Sequence, residues 1–203
     1  MPPSVRARRA TSGQWERTLE FLGRLRDDDL EPNVVTYSAC VNACEKGDQW
    51  GWALVLLAEM KAQIVNPEVI AYSAAISACE KGEQWALALG LLAQMRSEDL
   101  QPDVISYGAV LSSFGKDEQW ERALAMLGEM QEEGLEPDGV IYCAVIDACG
   151  KNRQWQRALG ILAELSEHLV EPGPIIYNSA MSACERSGQW EWGLRLLMEM
   201  EDG

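Results

Sequence analysis

From Gln49 to Ala62 the apolar side chains Trp50, Leu54, Leu57 and Met60 fall three to four residues apart, the spacing that gathers them on one face of a helix. The stretch before it, Val34 to about Lys46, has no proline and is built from small or apolar residues until its end, which predicts a first helix. Gly47 suits the end of that helix, where the chain commonly needs a left-handed residue. Asn66-Pro67 cannot continue the second, because proline disfavours the helical conformation of the residue before it. The pattern between Val34 and Glu68 is therefore that of a helical hairpin.

The hairpin recurs. Trp15, Trp50, Trp85, Trp120, Trp155 and Trp190 follow one another every 35 residues without insertion or deletion. Pro32, Pro67, Pro102, Pro137 and Pro172 keep the same beat, as do Tyr37, Tyr72, Tyr107, Tyr142 and Tyr177. A period of this size means a solenoid or a propeller, and the two-residue alternation that propeller strands need is missing. Helices of about 13 residues are marginal alone in water, so the hairpins must stack. The columns that would stack are the small Ala53, Ala88, Ala123, Ala158 and Gly193 and the bulky Leu57, Leu92, Leu127, Leu162 and Leu197. The tryptophans sit on the apolar side at the start of the second helix and are expected to join that packing. The organisation is a partial unit in residues 1–33 with a second helix from Trp15 to Arg26, repeats at 34–68, 69–103, 104–138 and 139–173, and a partial fifth unit at 174–203.

With 203 residues and 47% hydrophobic content, such an array buries a continuous core as one domain. No apolar run approaches the roughly 18 residues needed to cross a membrane, and the start of the chain lacks a secretory apolar region. A soluble protein with no membrane partner is expected. Of the six cysteines, Cys44, Cys79, Cys149 and Cys184 share one repeat column, with Phe114 as its fifth member, so they mark a buried position. Cys40 and Cys44 stand one helical turn apart, yet there is no Cys-x-x-Cys pair and His168 is the only histidine, so no metal and no other cofactor is expected. Free core thiols favour a reducing compartment.

Val34-Val35-Thr36-Tyr37-Ser38, Lys46-Gly47, Ala53-Leu54, Glu59-Met60 and Pro67-Glu68 resemble the pentatricopeptide repeat pattern in order and spacing. Val104-Ile105-Ser106-Tyr107, Ala123-Leu124, Glu129-Met130, Gly134 and Pro137-Asp138 are similar to a standard member of that family. The tetratricopeptide repeat has a period of 34 and carries its tryptophan early in the first helix, unlike this chain. The resemblance implies an all-α fold, a right-handed α-solenoid of stacked 35-residue helical hairpins. It also implies a noncatalytic protein that binds single-stranded RNA, with about one base per hairpin. Such proteins act in mitochondria or plastids in RNA processing, editing, stability or translation, with protein partners supplying catalysis; a cytoplasmic location is the alternative.

By the same resemblance the fifth and last residues of a unit meet the Watson-Crick edge of a base. Here the fifth residues are Ser38, Ser73, Gly108, Cys143 and Asn178, and the closing residues Glu68, Asp103, Asp138 and Gly173 follow Asn33, which closes the partial unit. Ser73 with Asp103 matches the family pairing associated with guanine. Ser38 with Glu68 departs from the pattern by a longer acid, Gly108 with Asp138 lacks the first side chain, and Cys143 with Gly173 has little hydrogen-bonding power. Asn178 suggests a pyrimidine. The second residues, Val35, Ile70, Ile105, Val140 and Ile175, would sandwich the bases; ordinary helix packing would demand the same apolar column.

A net charge of -15 opposes binding to a polyanion, so its location matters. The first 13 residues of the five units hold Glu45, Glu80, Asp147 and Glu185 against Lys46, Lys81, Lys116, Lys151 and Arg186, a balance of +1 that leaves -16 elsewhere. In a solenoid the first helices line the inner groove, which is then near neutral. The five bases form one column that suits either a ladder of phosphate contacts or stabilisation of the helix dipole. Arg6, Arg8 and Arg9 fit either the remnant of a targeting peptide or a poorly ordered segment. His168, the one histidine, falls in a linker region and gives no plausible Ser-His-Asp set, and neither a phosphate loop nor the zinc-deaminase motif is present, so an enzyme with a small-molecule substrate is not expected. The acidity and the weak reader set also suit a protein-interaction scaffold that docks its partner on the concave surface.

Overall fold

A computed structural model describes residues 3–28, 30–114, 119–167 and 173–202, and every regular element among them is an α-helix. In chain order these are α1 (Pro3–Asp27), α2 (Val34–Lys46), α3 (Trp50–Ala62), α4 (Val69–Lys81), α5 (Trp85–Ser97), α6 (Val104–Phe114), α7 (Trp120–Glu132), α8 (Gly139–Lys151), α9 (Trp155–Glu167), α10 (Pro174–Arg186) and α11 (Trp190–Asp202). The architecture is the all-α one that the period predicts. At the N-terminus the sequence suggests a helix starting near Trp15, but α1 begins at Pro3. Proline is tolerated at a first helical position, and the Ala- and Arg-containing stretch that follows has high helix propensity. The chain forms two compact units, residues 1–110 and 111–203, where one domain is expected from sequence.

In the first unit α4 packs on α2, α3 and α5. Ala53 and Ala88 are fully buried, and Leu57 and Leu92 nearly so, as their columns require. The glycines ending α2 and α4 have a different purpose from the one their position suggests. Gly47 and Gly82 have φ of -90° and -80°, which any residue adopts. The left-handed conformation falls one residue later, on Asp48 and Glu83, at φ of 56° and 58°. From there Gln49 and Gln84 donate their N–H groups to the carbonyls of Cys44 and Cys79 at 2.9 and 2.8 Å, closing the helix ends. What Gly47 and Gly82 supply is room. A Cβ on Gly47 would stand 2.5 Å from Cδ1 of Trp15, and one on Gly82 only 2.2 Å from Cδ1 of Trp50. Each of these indoles therefore lies against the end of the first helix of the following hairpin.

Two tyrosines add polar ties between neighbouring elements of this unit. Tyr72, fully buried, donates its hydroxyl to Glu98 Oε2 at 2.7 Å, while Lys61 bonds Glu98 Oε1 and lies 5.1 Å from the Tyr72 ring centroid. One repeat on, Arg96 donates to the Tyr107 hydroxyl and stands 5.6 Å from that ring centroid. Burial and the facing Glu98 carboxylate push the Tyr72 hydroxyl up. Burial alone would raise Glu98, but the bonds from Lys61 and Tyr72 outweigh it and hold its carboxyl below the usual range. A carboxylate with a depressed folded pKa contributes stability above its unfolded pKa and loses it as pH falls through the folded value. Urea midpoints of wild type are thus expected to fall on acidification below about pH 4.5. In Glu98→Gln the neutral-pH midpoint drops and the acid limb becomes shallower; an unchanged acid limb would rule Glu98 out as its source.

In the second unit α10 packs on α8, α9 and α11, and α7 on α8. A Cβ on Gly150 would meet the Ala183 Cβ at 2.7 Å, so α8 and α10 approach closely at this pair. Ala123, Ala158, Leu127 and Leu162 are buried, whereas Leu197 of α11 is 38% exposed and Trp190 is 66% exposed. Cys44 and Cys79 in the first unit and Cys149 and Cys184 in the second are free thiols and fully buried; Phe114 is fully buried too. Burial pushes the thiols of Cys44, Cys79 and Cys149 up to about 11, so they are neutral packing groups.

Candidate nucleic-acid interface

The second residue of each first helix points to solvent. Val35, Ile70 and Ile105 in the first unit are 75%, 62% and 64% exposed, and Val140 and Ile175 in the second are 68% and 73% exposed. Two residues further along in the first unit, Tyr37, Tyr72 and Tyr107 are fully buried, so the helices turn their packing side away from this column. Helix packing does not account for these five β-branched residues. Each is a free apolar surface at the start of a helix.

The closing residue of the preceding unit sits at the N-cap of each first helix. Asn33 accepts from the Thr36 N–H and hydroxyl, both at 3.0 Å, and Asp138 Oδ1 accepts from the Ile141 N–H at 2.9 Å. Asp103 Oδ1 accepts from the Ser106 N–H at 2.8 Å, the Ser106 hydroxyl at 2.7 Å and the Ser73 hydroxyl at 3.1 Å. Glu68 and Gly173 occupy the same place without a side-chain cap bond. The structure thus brings Ser73 and Asp103 together, the pair singled out from sequence. Ser73 is itself buried, with its hydroxyl 2.8 Å from the Val69 carbonyl and 2.9 Å from the Ser106 hydroxyl. Ser38, Gly108 and Cys143 are half-buried, and Asn178 is exposed on an open groove with Met181, Ser182 and Trp190. Burial pushes the Cys143 thiol up, against the pull of a bond to Ser179, and keeps it neutral.

Among the basic column, Lys46, Lys81, Lys151 and Arg186 are exposed in the last turns of their helices, and Lys116 lies outside the described residues, as does His168. Lys46 shares a shallow groove with Gln14, Arg17 and Asn42. Lys81 is engaged: its ammonium donates to Glu45 Oε1 at 2.6 Å and to the Glu45 carbonyl at 3.2 Å. Sequence spacing does not reveal this pair, nor the N-cap role of the closing residues, nor the tyrosine ties. Asn33, Asp103 and Asp138, each just before a first helix, are a readable capping signal for the second of these.

Tandem hairpins with an exposed apolar residue at each first helix, and a polar N-cap at three of the five, define a class of helical-repeat protein, and comparison with known proteins specifies it. Profiles described as PPR repeat family, pentatricopeptide repeat domain and PPR repeat match residues 102–151, residues 53–117, and residues 35–63, 140–168 and 175–203 respectively. The chain belongs to the pentatricopeptide repeat family. No curated protein matches it in sequence. Among solved structures, the pentatricopeptide repeat protein PPR10 from maize is similar with a TM-score of 0.73 and 29% identity, over 94% of this chain and 27% of that one. The same protein in complex with an 18-nt psaJ RNA element gives 0.64 and 27% identity, over 96% and 28%. The PPR domain of Arabidopsis thaliana protein-only RNase P 1, in complex with tRNA, gives 0.72 over 93% of this chain and 96% of that domain; at 14% identity it speaks for the fold alone. The chain thus spans about a quarter of the length of the maize protein.

Proposed function

We propose that this chain is a noncatalytic single-stranded RNA-binding protein acting in plastid or mitochondrial RNA processing, editing, stability or translation. Protein partners supply any catalysis. The observation that carries the reading is the exposure of Val35, Ile70, Ile105, Val140 and Ile175, apolar side chains held in water where packing would have covered them. They are suited to sandwich bases, next to readers drawn from Ser38 and Glu68, Ser73 and Asp103, Gly108 and Asp138, Cys143 and Gly173, and Asn178. Family membership and the RNA complex of the maize relative support it. The organelle is inferred from family resemblance.

In this reading Lys46, Lys81, Lys116, Lys151 and Arg186 contact phosphates, and Glu45 competes for one rung of that ladder through Lys81. Anisotropy titrations of a fluorescent uridine-rich RNA at several salt concentrations test it. With all five rungs engaged the log-log slope is about -3.5, and each rung lost makes it shallower by about 0.7. Glu45→Gln loosens the hold on Lys81 and is expected to tighten binding by about 2- to 5-fold at low salt, since an exposed pair contributes roughly 1 kcal/mol or less in either direction. The RNA should be recovered intact. A slope near zero with no effect of Glu45→Gln removes the ladder. Absence of RNA binding, with capture of a protein instead, would favour a scaffold, which the charge of -15 and the exposed Trp190 and Met198 of α11 also suit.

A further inference from the structure

Two of the closing residues in the first unit are gripped in the same way by the third residue of the helix that follows. Thr36 donates both its N–H and its hydroxyl to Asn33 Oδ1, each at 3.0 Å. Ser106 donates both its N–H and its hydroxyl to Asp103 Oδ1, at 2.8 and 2.7 Å. The other third residues, Ala71, Ile141 and Ile176, have no hydroxyl: Asp138 accepts the Ile141 N–H, and Glu68 receives no side-chain cap bond. A backbone N–H can only donate, so the grip decides which end of an asymmetric amide faces it. Asn33 must turn its oxygen inward and its NH₂ outward. Asp103, with one oxygen taken by three donors, keeps Oδ2 as its open acceptor.

We propose, resting on the RNA-binding reading above, that Thr36 and Ser106 are positioning residues: Thr36 holds the Asn33 amide with its NH₂ outward, and Ser106 holds the Asp103 carboxylate with Oδ2 as the oxygen open to a base. Asn33 presents a donor and Asp103 an acceptor. The acceptor suits the N1–H and N2–H₂ donors of guanine and is unsuited to adenine, whose N1 is itself an acceptor. Ser106 is fully buried, so its hydroxyl need not reach the base, and its contribution passes through the carboxylate. The Ser106 grip also leaves Ser73 free to exchange its bond to Asp103 for another partner without releasing the carboxyl.

The test uses the full chain and short uridine-rich RNAs carrying one guanosine or one adenosine at each position in turn. Dissociation constants are read well below the melting temperature of every variant. Wild type is expected to prefer guanosine over adenosine at one position. Ser106→Ala should reduce that preference by about 3- to 10-fold, the effect of losing one orienting hydrogen bond. Ser106→Thr, which keeps the hydroxyl, should restore it. A Ser106→Ala variant that retains full selectivity, or that weakens all RNAs in equal proportion, would overturn the proposal and leave a cap with a purely structural role. Binding by wild type with no base preference overturns it too, while leaving RNA binding intact. Failure of wild type to bind any of these RNAs overturns both.

Discussion

Replacing Ile70 and Ile105 together by alanine should weaken RNA binding roughly 30- to 100-fold and leave the protein as stable as before. The two side chains are 62% and 64% exposed, so truncating them removes little that the folded protein buries; changes at such sites stay within about 0.5 kcal/mol. Alanine also favours the helix more than isoleucine does. Against a bound base each isoleucine would lose about 1 to 1.5 kcal/mol of apolar contact, and two such losses multiply to the stated factor. Urea unfolding and RNA titration on the same preparation separate the two quantities. A fall in stability as large as the fall in affinity would return these residues to the packing role. Unchanged affinity would place the bases elsewhere.

Gly82→Ala tests the other large effect, and it runs against helix propensity, since alanine is the better helix former. The added Cβ would stand 2.2 Å from Trp50 Cδ1, so either the indole or the end of α4 must move. Overpacking of this kind costs about 1–3 kcal/mol. Because the clash is with Trp50, the penalty should shrink sharply in a Trp50→Ala background, a coupling that a double-mutant cycle measures from urea midpoints. Glu83→Gly, at the residue that carries the φ of 58°, should be neutral or stabilising. Equal penalties for Gly82→Ala with and without the indole would show that the glycine is required by the backbone after all.

Much of the fold is legible along the chain because a strict period repeats each physical cue. Asn66-Pro67 keeps the linker out of a helix, Trp50 opens the apolar face of a second helix, and Cys44 and Cys79 mark a buried column. The all-α hairpins follow from these cues. What a linear pattern does not reveal is direction. Val35 and Tyr37 both look like core residues, and only the packed helix shows one in water and the other buried. The same holds for partners distant in sequence: Glu45 meets Lys81, Trp50 meets Gly82 and Lys61 meets Glu98 because stacking brings neighbouring hairpins together. Glycine at a helix end suggests a conformational need; its steric need became visible only with the indole beside it. The pairing of Ser73 and Asp103 was readable through family resemblance, whereas the Ser106 grip on the same carboxylate was not.

Hairpins of equal length suggest beads that can be strung in any order, as in arrays built by recombining repeats. The indole of Trp50 limits that freedom, since a side chain at the end of the first helix that follows it would meet the ring as it lies against Gly82. Asn152 and Ser187 hold that position in the second unit and would put a Cβ where the ring lies. Transplanting residues 139–173 or 174–203 directly behind Trp50 should therefore cost about 1–3 kcal/mol unless glycine is placed at the junction, and the order of modules in this chain is part of what its sequence encodes.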